Sequence, residues 1–219
     1  MQDWIGVLPA RSEKEQEQKQ TIQTEYDDLS AKFSDVPGLG GKDFVFSHCD
    51  LLCGNIIIRQ PEMVHGRCRK DSSRPKISII DYEYAAPAPA AFDIANHFAE
   101  WAGIDCDYGA MPSISQRRDF LSHYVQAYCA QPESNCMGAP VQEATAQLFN
   151  QVERFRGVPG FYWGIWALIQ HEISQIDFDY KRYAELRFSE YYGWKEELDG
   201  SRVKAGKDMP LREKTWAKQ

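Results

Sequence analysis

The chain has 219 residues, and its 43% of hydrophobic residues is enough to build the core of one substantial domain. Because 32 Asp and Glu residues outweigh 25 Lys and Arg residues, a net charge of −7 excludes nucleic acid and anionic lipid as partners attracted by overall charge. The sequence shows no secretory signal pattern and no apolar run near the ~18 residues of a membrane span. We therefore expect a cytoplasmic chain with no nucleic-acid or membrane partner.

The six cysteines are even in number, but a chain of this length without a signal peptide favours reduced thiols over a disulfide framework. A zinc site built from His48, Cys49 and Cys53 is the alternative interpretation. It lacks a CxxC pair and a second cluster at matching spacing, so we do not expect a structural metal there.

The first long predicted element is a helix from Ser12 to about Phe33, in a charged and Gln-rich stretch. Ile22, Tyr26 and Leu29 follow one another at helical spacing, and Phe33 continues the same apolar stripe. Such a stripe is typical of a surface helix that packs one face against a core.

Three short apolar runs with strand character follow, at residues 44–46, 56–58 and 77–80. Residues 59–76 between the second and third runs are polar and basic. We predict that these two runs are strands joined by a long hairpin loop, and we interpret the charge of the loop as solvation.

Beyond residues 85–89, where two prolines prevent regular helix, the sequence predicts mostly helices. One starts near Ser115 as its N-cap, Pro140 suits the first turn of the next, and Pro159 and Gly160 interrupt the chain before a strongly apolar helical segment. A last helix carries the apolar positions Tyr183, Leu186, Phe188 and Tyr191.

We expect one domain over residues 1–219, with a core at about residues 12–195 and a mobile polar tail at 200–219. The fold class is α+β, in which a little β-structure carries polar motifs and a large helical body supports it.

The first chemical motif is His48-x-Asp50-x-x-x-x-Asn55, in a loop between two apolar runs. Phosphotransferase catalytic loops use an Asp that accepts the proton of the substrate hydroxyl and an Asn five residues later that holds a metal ion. The second motif is Asp81, at the end of the next apolar run, where a carboxylate suits Mg²⁺. Taken singly, these residues are also common in turns, strand ends and buried hydrogen bonds.

A third feature is the segment from Asp93 to Trp101, which contains Asn96, His97 and Glu100, together with aromatic residues farther along the chain. A small organic cation needs aromatic faces and a nearby carboxylate. Candidates for this site are Glu100, Tyr84, Trp163, Trp166 and Tyr183. The alternative for the two tryptophans, three residues apart on an apolar helix, is ordinary core packing.

These motifs together resemble the choline/ethanolamine kinase family, and more closely its ethanolamine kinase branch. The matching segments are SHCDLLCGNIII, IIDYEYA, AFDIANHFAEWAG and FYWGIWALIQ, followed by Phe178 and Tyr183, and they cover most of residues 44–193 in order. The LLCGN end of the loop and the AEWAG segment are similar to the ethanolamine kinases.

The resemblance implies a protein-kinase-like fold, of which this chain is the mostly helical C-terminal lobe with short β-hairpins carrying the catalytic loop. Asp50 corresponds to the catalytic base, His48 to a residue that orders the loop, and Asn55 and Asp81 to the Mg²⁺ and nucleotide-phosphate ligands. The implied reaction transfers the γ-phosphoryl group of ATP to ethanolamine, on the way to phosphatidylethanolamine. The residues implied for the amino-alcohol pocket are Tyr84, Glu100, Trp163, Trp166, Phe178 and Tyr183.

Three departures from the family pattern matter. Cys49 stands where the family usually has Asn, which predicts a less well braced loop. The AAPAPAA stretch at residues 85–91 replaces a more polar one and is expected to reshape one wall of the pocket. The N-terminal lobe, with its phosphate-covering loop and Lys, has no counterpart before His48, which predicts an exposed apolar lobe face.

Three functional hypotheses remain open at this point. The first is an ethanolamine kinase or its catalytic lobe, and the second keeps the fold but takes choline or another amino alcohol. The third is a catalytically inert binding or interaction module. Self-association that completes the nucleotide site is a further alternative for the oligomeric state.

Overall fold

A computed structural model describes residues 1–34, 38–59, 76–132 and 140–218, and the backbone of residues 63–64 and 67–68. Most of the predicted loop 59–76 lies outside these residues, so its interpretation as a solvated loop stays a prediction. The described residues form nine α-helices, and helical residues dominate the fold. Their bounds are α1 Gln2–Val7, α2 Glu13–Phe33, α3 Ala90–Glu100, α4 Ile114–Cys129, α5 Val141–Phe155, α6 Val158–Ile173, α7 Tyr180–Leu198, α8 Ser201–Lys204 and α9 Leu211–Trp216.

Short strands pair two by two and antiparallel. Their bounds are β1 Val45–Ser47, β2 Ile56–Arg59, β3 Met63–Val64, β4 Arg67–Cys68, β5 Lys76–Ile79 and β6 Ala86–Ala88. β2 pairs with β5, which confirms the predicted pairing of residues 56–58 with 77–80, and β3 pairs with β4. The mostly helical α+β architecture expected from the sequence is therefore confirmed.

The pairing of β1 with β6 was not predicted, since the two prolines in residues 85–89 were taken only as preventing regular helix. Pro87 lies opposite Phe46 in a ladder of only two strands. Proline cannot donate to a ladder, but it is tolerated where its nitrogen faces away from the partner strand. The AAPAPAA stretch thus forms a strand that closes onto the segment leading into the motif loop.

The predicted helix after Ser12 is confirmed. The Ser12 hydroxyl accepts from the backbone N–H of Glu15, and the Glu15 carboxylate accepts from the backbone N–H of Ser12, which forms a capping box. Ile22 and Leu29 are buried, so the apolar stripe faces the core as expected.

Two predicted helix boundaries were wrong. α4 is capped by Ser113 and not by Ser115, because only Ser113 has a Gln at the third helical position to complete a capping box. Pro159 and Gly160 lie inside the first turn of α6 and do not interrupt it. Proline suits that turn, because the N–H that it lacks has no helical partner there.

The tail after Gly200, expected to be mobile, forms α8 and α9 and packs against the helical body. Trp216 is only 2% exposed, and its indole nitrogen donates to Glu153 at 2.8 Å. The guanidinium of buried Arg117 donates to the backbone oxygen of Trp216 at 3.0 Å. These contacts join the last helix to α4 and α5, which a polar composition alone does not reveal.

The cysteines differ partly from the expectation of reduced thiols. Cys49 and Cys106 are buried free thiols and Cys53 is an exposed free thiol, whereas Cys129 is disulfide-bonded.

The β-hairpin side of the molecule exposes apolar side chains. Phe46, Ile58 and Ile77 are all more than half exposed. Among the described residues, no helix is long and apolar enough to cross a membrane.

Candidate active site

The motif loop begins where β1 ends, and α3 fixes its first turn. The backbone N–H groups of His48 and Cys49 donate to the two carboxylate oxygens of Asp93, at 3.0 and 2.8 Å. Cys49 adopts a left-handed conformation with φ of 62°, which turns the chain sharply before Asp50. One carboxylate in the first turn of α3 therefore holds both N–H groups of this turn.

Two further side chains of α3 hold the loop through its carbonyl groups. Asn96 donates to the backbone oxygen of Cys49 at 2.9 Å, and Nδ1 of His97 lies 2.7 Å from the backbone oxygen of Leu51. A carbonyl can only accept, so Nδ1 carries the proton, and Nε2 is free to accept from the indole of Trp101 at 3.2 Å. Burial lowers the pKa of His97, which agrees with this neutral form.

These three anchors were missed as positioning residues by sequence analysis, although the segment containing them was noted. Asp93, Asn96 and His97 occupy positions i, i+3 and i+4 of α3, which lie on one helix face. Polar residues at this spacing on an otherwise apolar and buried helix were the available signal.

The predicted effect of Cys49 on the bracing of the loop stays a prediction, but two of the contacts at this position do not involve its side chain. The contacts with Asp93 and Asn96 use only the backbone of Cys49, so bracing there does not depend on an amide side chain. The thiol itself is buried, its sulfur lies 3.8 Å from the backbone oxygen of Ser47, and burial raises its pKa to about 12.

Asp50, the predicted base, is buried and tied to Asn55. The side-chain nitrogen of Asn55 donates to the carboxylate of Asp50 at 3.1 Å and to its backbone oxygen at 2.9 Å. Burial raises the pKa of Asp50 to about 6, against the opposing effects of His48 and of the Asn55 hydrogen bond. The loop thus presents a carboxylate that accepts a proton near neutral pH.

His48 and Asn55 connect the loop to the segment that leads into Asp81. Nε2 of His48 lies 2.9 Å from the backbone oxygen of Ile80, and the backbone N–H of Ile80 donates to the backbone oxygen of Asn55 at 3.1 Å. The ring of His48 also packs on that of Tyr82, with centroids 4.7 Å apart. His48 therefore links the motif loop to the segment that contains Asp81.

Asp81 is exposed and has a left-handed backbone with φ of 65°. The negative charges of Asp81 and Glu83 both contribute to the raised pKa of Asp50, so all three carboxylates share one neighbourhood. Glu83 was not predicted as a site residue, although it lies two positions after Asp81 in the motif.

The side-chain oxygens of Asn55 and Asp81 are suited to bind Mg²⁺ together with phosphate oxygens. Among the described residues, both side-chain hydrogen bonds of Asn55 use its nitrogen, which leaves its amide oxygen as a ligand atom. The exposed carboxylate of Asp81 supplies a second hard oxygen. Within the same residues no three His, Cys, Asp or Glu side chains are grouped to hold a metal alone, as the zinc alternative would require. Magnesium sites of this kind take further ligands from the phosphates.

The predicted aromatic residues form a connected cluster. The indole of Trp166 donates to the hydroxyl of Tyr84 at 2.9 Å, and the ring of Trp163 meets both in edge-to-face contacts. Trp163 is only 5% exposed, and its indole donates to the oxygen of Asn96 at 2.9 Å. Trp163 therefore stabilises the motif loop through Asn96, and it exposes little surface to a pocket.

The cluster continues to the start of α7. Trp166 packs on Tyr180 at 5.7 Å between centroids, and Phe178 contacts both Tyr180 and Tyr183 at 4.9 and 5.7 Å. Phe178 remains exposed, whereas Tyr183 is buried. Tyr180, which links the two groups of rings, was not predicted.

Glu100 lies at the end of α3, with a side chain that is 9% exposed. Burial raises its pKa to about 7, although the nearby charge of Arg187 lowers it. Arg187 lies 3.5 Å from Glu100 and 5.7 Å from the ring centre of Tyr183. Arg187 thereby links Glu100 to Tyr183, one of the predicted aromatic residues.

Comparison with known proteins shows the family to which the chain belongs. The family model for choline/ethanolamine kinase matches residues 1–192, so the chain belongs to the choline/ethanolamine kinase family. It is 41% identical over 156 residues to a probable ethanolamine kinase of Nematostella vectensis, covering 70% of this chain and 41% of the relative. It is 39% identical over 149 residues to ethanolamine kinase 2 of Homo sapiens, covering 68% of this chain and 34% of the relative.

Solved structures show the same fold. An ethanolamine kinase of Plasmodium vivax is 29% identical, with a TM-score of 0.58 over 78% of this chain and 38% of its own. A choline kinase of Cryptosporidium parvum, 22% identical, shares the fold with a TM-score of 0.56 over 91% of this chain and 53% of its own. The chain thus spans well under two thirds of the length of the relatives that it matches.

Proposed function

We propose that this chain is the catalytic lobe of a cytoplasmic ethanolamine kinase that transfers the γ-phosphoryl group of ATP to the hydroxyl of ethanolamine. The product is phosphoethanolamine, which leads to phosphatidylethanolamine. The observation that carries the proposal is the position of Asp50, a buried carboxylate fixed by Asn55 beside the acidic segment of Asp81 and Glu83. Relatives named as ethanolamine kinases, at 35–41% identity, favour this acceptor.

In the proposed reaction, Asp50 accepts the proton of the substrate hydroxyl while the hydroxyl oxygen forms a bond to the γ-phosphorus. The bond from that phosphorus to the bridging oxygen breaks, ADP leaves, and the proton on Asp50 returns to solvent. A carboxyl group with a pKa of about 6 is mostly ionised at neutral pH and is a stronger base than an ordinary Asp.

Asn55 and Asp81 would hold Mg²⁺ against the nucleotide phosphates. The bound ion supplies neutralisation of the negative charge on the phosphates during transfer. The hydrogen bonds from Asn55 to Asp50 keep the metal-binding amide and the base in a fixed relation.

Glu100 and the aromatic cluster would bind the ammonium group of the substrate. A primary ammonium donates three hydrogen bonds and benefits from a carboxylate acceptor, whereas a quaternary ammonium donates none and relies on aromatic faces. The carboxylate of Glu100 favours ethanolamine. The faces of Tyr84, Trp166 and Phe178 favour choline, which is the second candidate substrate.

The test is phosphorylation by the 219-residue chain with Mg²⁺ and ATP, comparing ethanolamine with choline at equal concentration. We expect a higher rate with ethanolamine and a loss of about a hundredfold or more in Asp50→Asn. Asp119→Asn, at an exposed position of α4, is the matched control and should retain the rate.

Three results would change the proposal. A higher rate with choline would change the substrate, and full activity in Asp50→Asn would remove the base assignment. A folded chain that binds ethanolamine without turnover would be a binding module.

A further inference from the structure

A row of buried ion pairs runs from Glu100 to the last helix. Arg187 lies 3.5 Å from Glu100 and 3.4 Å from Glu190 on its own helix, and Glu190 lies 3.8 Å from Arg212 of α9. Arg212 in turn pairs with Glu213 at 3.0 Å. Acidic and basic side chains therefore alternate along the whole row.

Arg187 is the central member of this row and is only 1% exposed. Its guanidinium faces the carboxylates of Glu100 and Glu190, the sulfur of Cys106 at 3.8 Å and the ring of Tyr183. Its Nε and the Glu190 oxygen lie within ion-pair distance without the alignment of a hydrogen bond. A cation this deeply buried persists only because carboxylates compensate its charge on more than one side.

The contact between Arg187 and Glu100 leaves the carboxylate able to take another donor. Its 3.5 Å separation is long beside the usual ~2.7–2.9 Å of a charged hydrogen bond. Among the described residues, no other side chain or backbone group donates a hydrogen bond to the side chain of Glu100. An ammonium ion can therefore bind Glu100 without first displacing a strong partner.

We propose that Arg187 is a positioning residue that favours the ionised form of Glu100 and orients it for the ammonium group of the substrate, and that Arg212 supports Arg187 through Glu190. This inference rests on the proposed function for the identity of the ligand. The proposal implies that α9 stabilises the ammonium site indirectly, through Glu190 and Arg187.

The charges around Glu100 give this arrangement a measurable signature. The charges of Asp50 and Glu190 oppose ionisation of Glu100, and Arg187 is the described cation that favours it, while the neighbouring Tyr183 and Cys106 are neutral. Removing the charge of Arg187 would leave a buried carboxylate that is protonated at neutral pH. A protonated Glu100 cannot pair with an ammonium ion, so binding would recover only at higher pH.

The experiment is calorimetric titration of the full chain with ethanolamine from about pH 6 to about pH 9, a range in which ethanolamine stays an ammonium ion for the most part. In Arg187→Met we expect binding at neutral pH to weaken roughly tenfold and to recover as the pH rises, because one pKa unit corresponds to a factor of ten. Arg187→Lys keeps the charge and should stay within about threefold of the natural chain. Arg212→Met should shift the profile in the same direction by a smaller factor.

The matched control is Arg202→Met, which removes another Arg, partly buried within α8, from a pair with a Glu. It should leave the binding profile unchanged. If Arg187→Met weakened binding equally at every pH, or not at all, the positioning role would be overturned. An unchanged profile in Arg212→Met would overturn the part assigned to α9.

A second readout separates this inference from the proposed function. The ¹³C carboxyl signal of Glu100, identified with Glu100→Gln, gives its titration midpoint without any ligand. A higher midpoint in Arg187→Met supports the role of Arg187 even if the chain binds no ethanolamine, a result that would overturn only the proposed function. An unchanged midpoint overturns the inference, and if Arg187→Met does not fold, Arg212→Met provides the same measurement.

Discussion

The indole nitrogen of Trp163 donates to the side-chain oxygen of Asn96 at 2.9 Å. The amide nitrogen of Asn96 donates in turn to the backbone oxygen of Cys49 at the same distance. One buried amide therefore connects the aromatic helix α6 to the motif loop. Trp163 therefore stabilises the motif loop through Asn96, whereas Trp166, one turn later, is half-buried.

Trp163→Phe should therefore destabilise the fold more than Trp166→Phe. Phenylalanine at 163 leaves the oxygen of Asn96 buried without a donor, which costs about 1–3 kcal/mol. The same change at half-buried Trp166 leaves the Tyr84 hydroxyl able to reach water. Urea unfolding of both variants measures the difference, and equal losses would contradict this account of Asn96.

Asp93→Asn should loosen the motif loop. Asparagine offers one acceptor oxygen where the carboxylate offers two, and its amino group would face one of the N–H groups of His48 and Cys49. We expect a loss of about 1–3 kcal/mol and faster hydrogen exchange at these two amides. Asp119→Asn is the control. Unchanged exchange at residues 48 and 49 would refute the anchoring role.

Asp50→Asn should make the fold more stable at alkaline pH. The pKa of Asp50 is about 6 in the fold against 3.8 for an ordinary Asp, so the folded state binds more protons between these values. The free energy of unfolding therefore falls as pH rises through that window. Asparagine avoids this cost, so the variant should gain about 1–3 kcal/mol near pH 8 and nothing near pH 4.

Urea unfolding at several pH values, in buffer without divalent cations, measures this gain. If the variant were less stable than the natural chain near pH 8, ionised Asp50 would not lower the free energy of unfolding, and this prediction would be wrong.

Gly160→Ala should destabilise the contact between α6 and α7. A Cβ at this position would lie 2.5 Å from the backbone oxygen of Arg187 and 3.1 Å from the backbone nitrogen of Tyr191. Backbone atoms cannot move aside easily, so we expect a loss of about 1–3 kcal/mol or more. Gly6→Ala, where a Cβ meets nothing within 4 Å, is the control. Thermal unfolding compares the two, and a neutral Gly160→Ala would mean that the helices can separate cheaply.

Trp216→Ala tests whether α9 belongs to the core. Removing a buried tryptophan costs about 3–5 kcal/mol, and here Glu153 also loses its indole donor. A mobile tail would instead give no change in the unfolding midpoint. Limited proteolysis of the natural chain provides a second measurement, because a packed α9 resists cleavage after Gly200.

Sequence reasoning was most successful where chemistry and local pattern coincide. His48, Asp50 and Asn55 stand at fixed spacing between apolar strands, and the pairing of β2 with β5 follows from two β-branched runs. The helix after Ser12 has both a cap and an apolar stripe. Each of these features depends only on residues within a short stretch of the chain.

Features that depend on distant residues were missed. Asp93 anchors a turn some 45 positions earlier, and the buried row from Glu100 to Arg212 joins α3, α7 and α9. Charged residues in amphipathic helices usually face water, so the sequence does not indicate that these residues form buried ion pairs. Pro87 was taken as preventing regular helix, and the short strand that accommodates it was not predicted.

The contrast between Cys49 and Cys53 offers a site-specific label. Cys49 is shielded and keeps its proton at working pH, whereas Cys53 is exposed on the short turn that ends at Asn55. Among the free cysteines that the structure describes, a maleimide dye would react at Cys53 first. A fluorophore there would sit two residues from the amide proposed to hold the metal, so its emission would report nucleotide arrival in real time without any catalytic turnover.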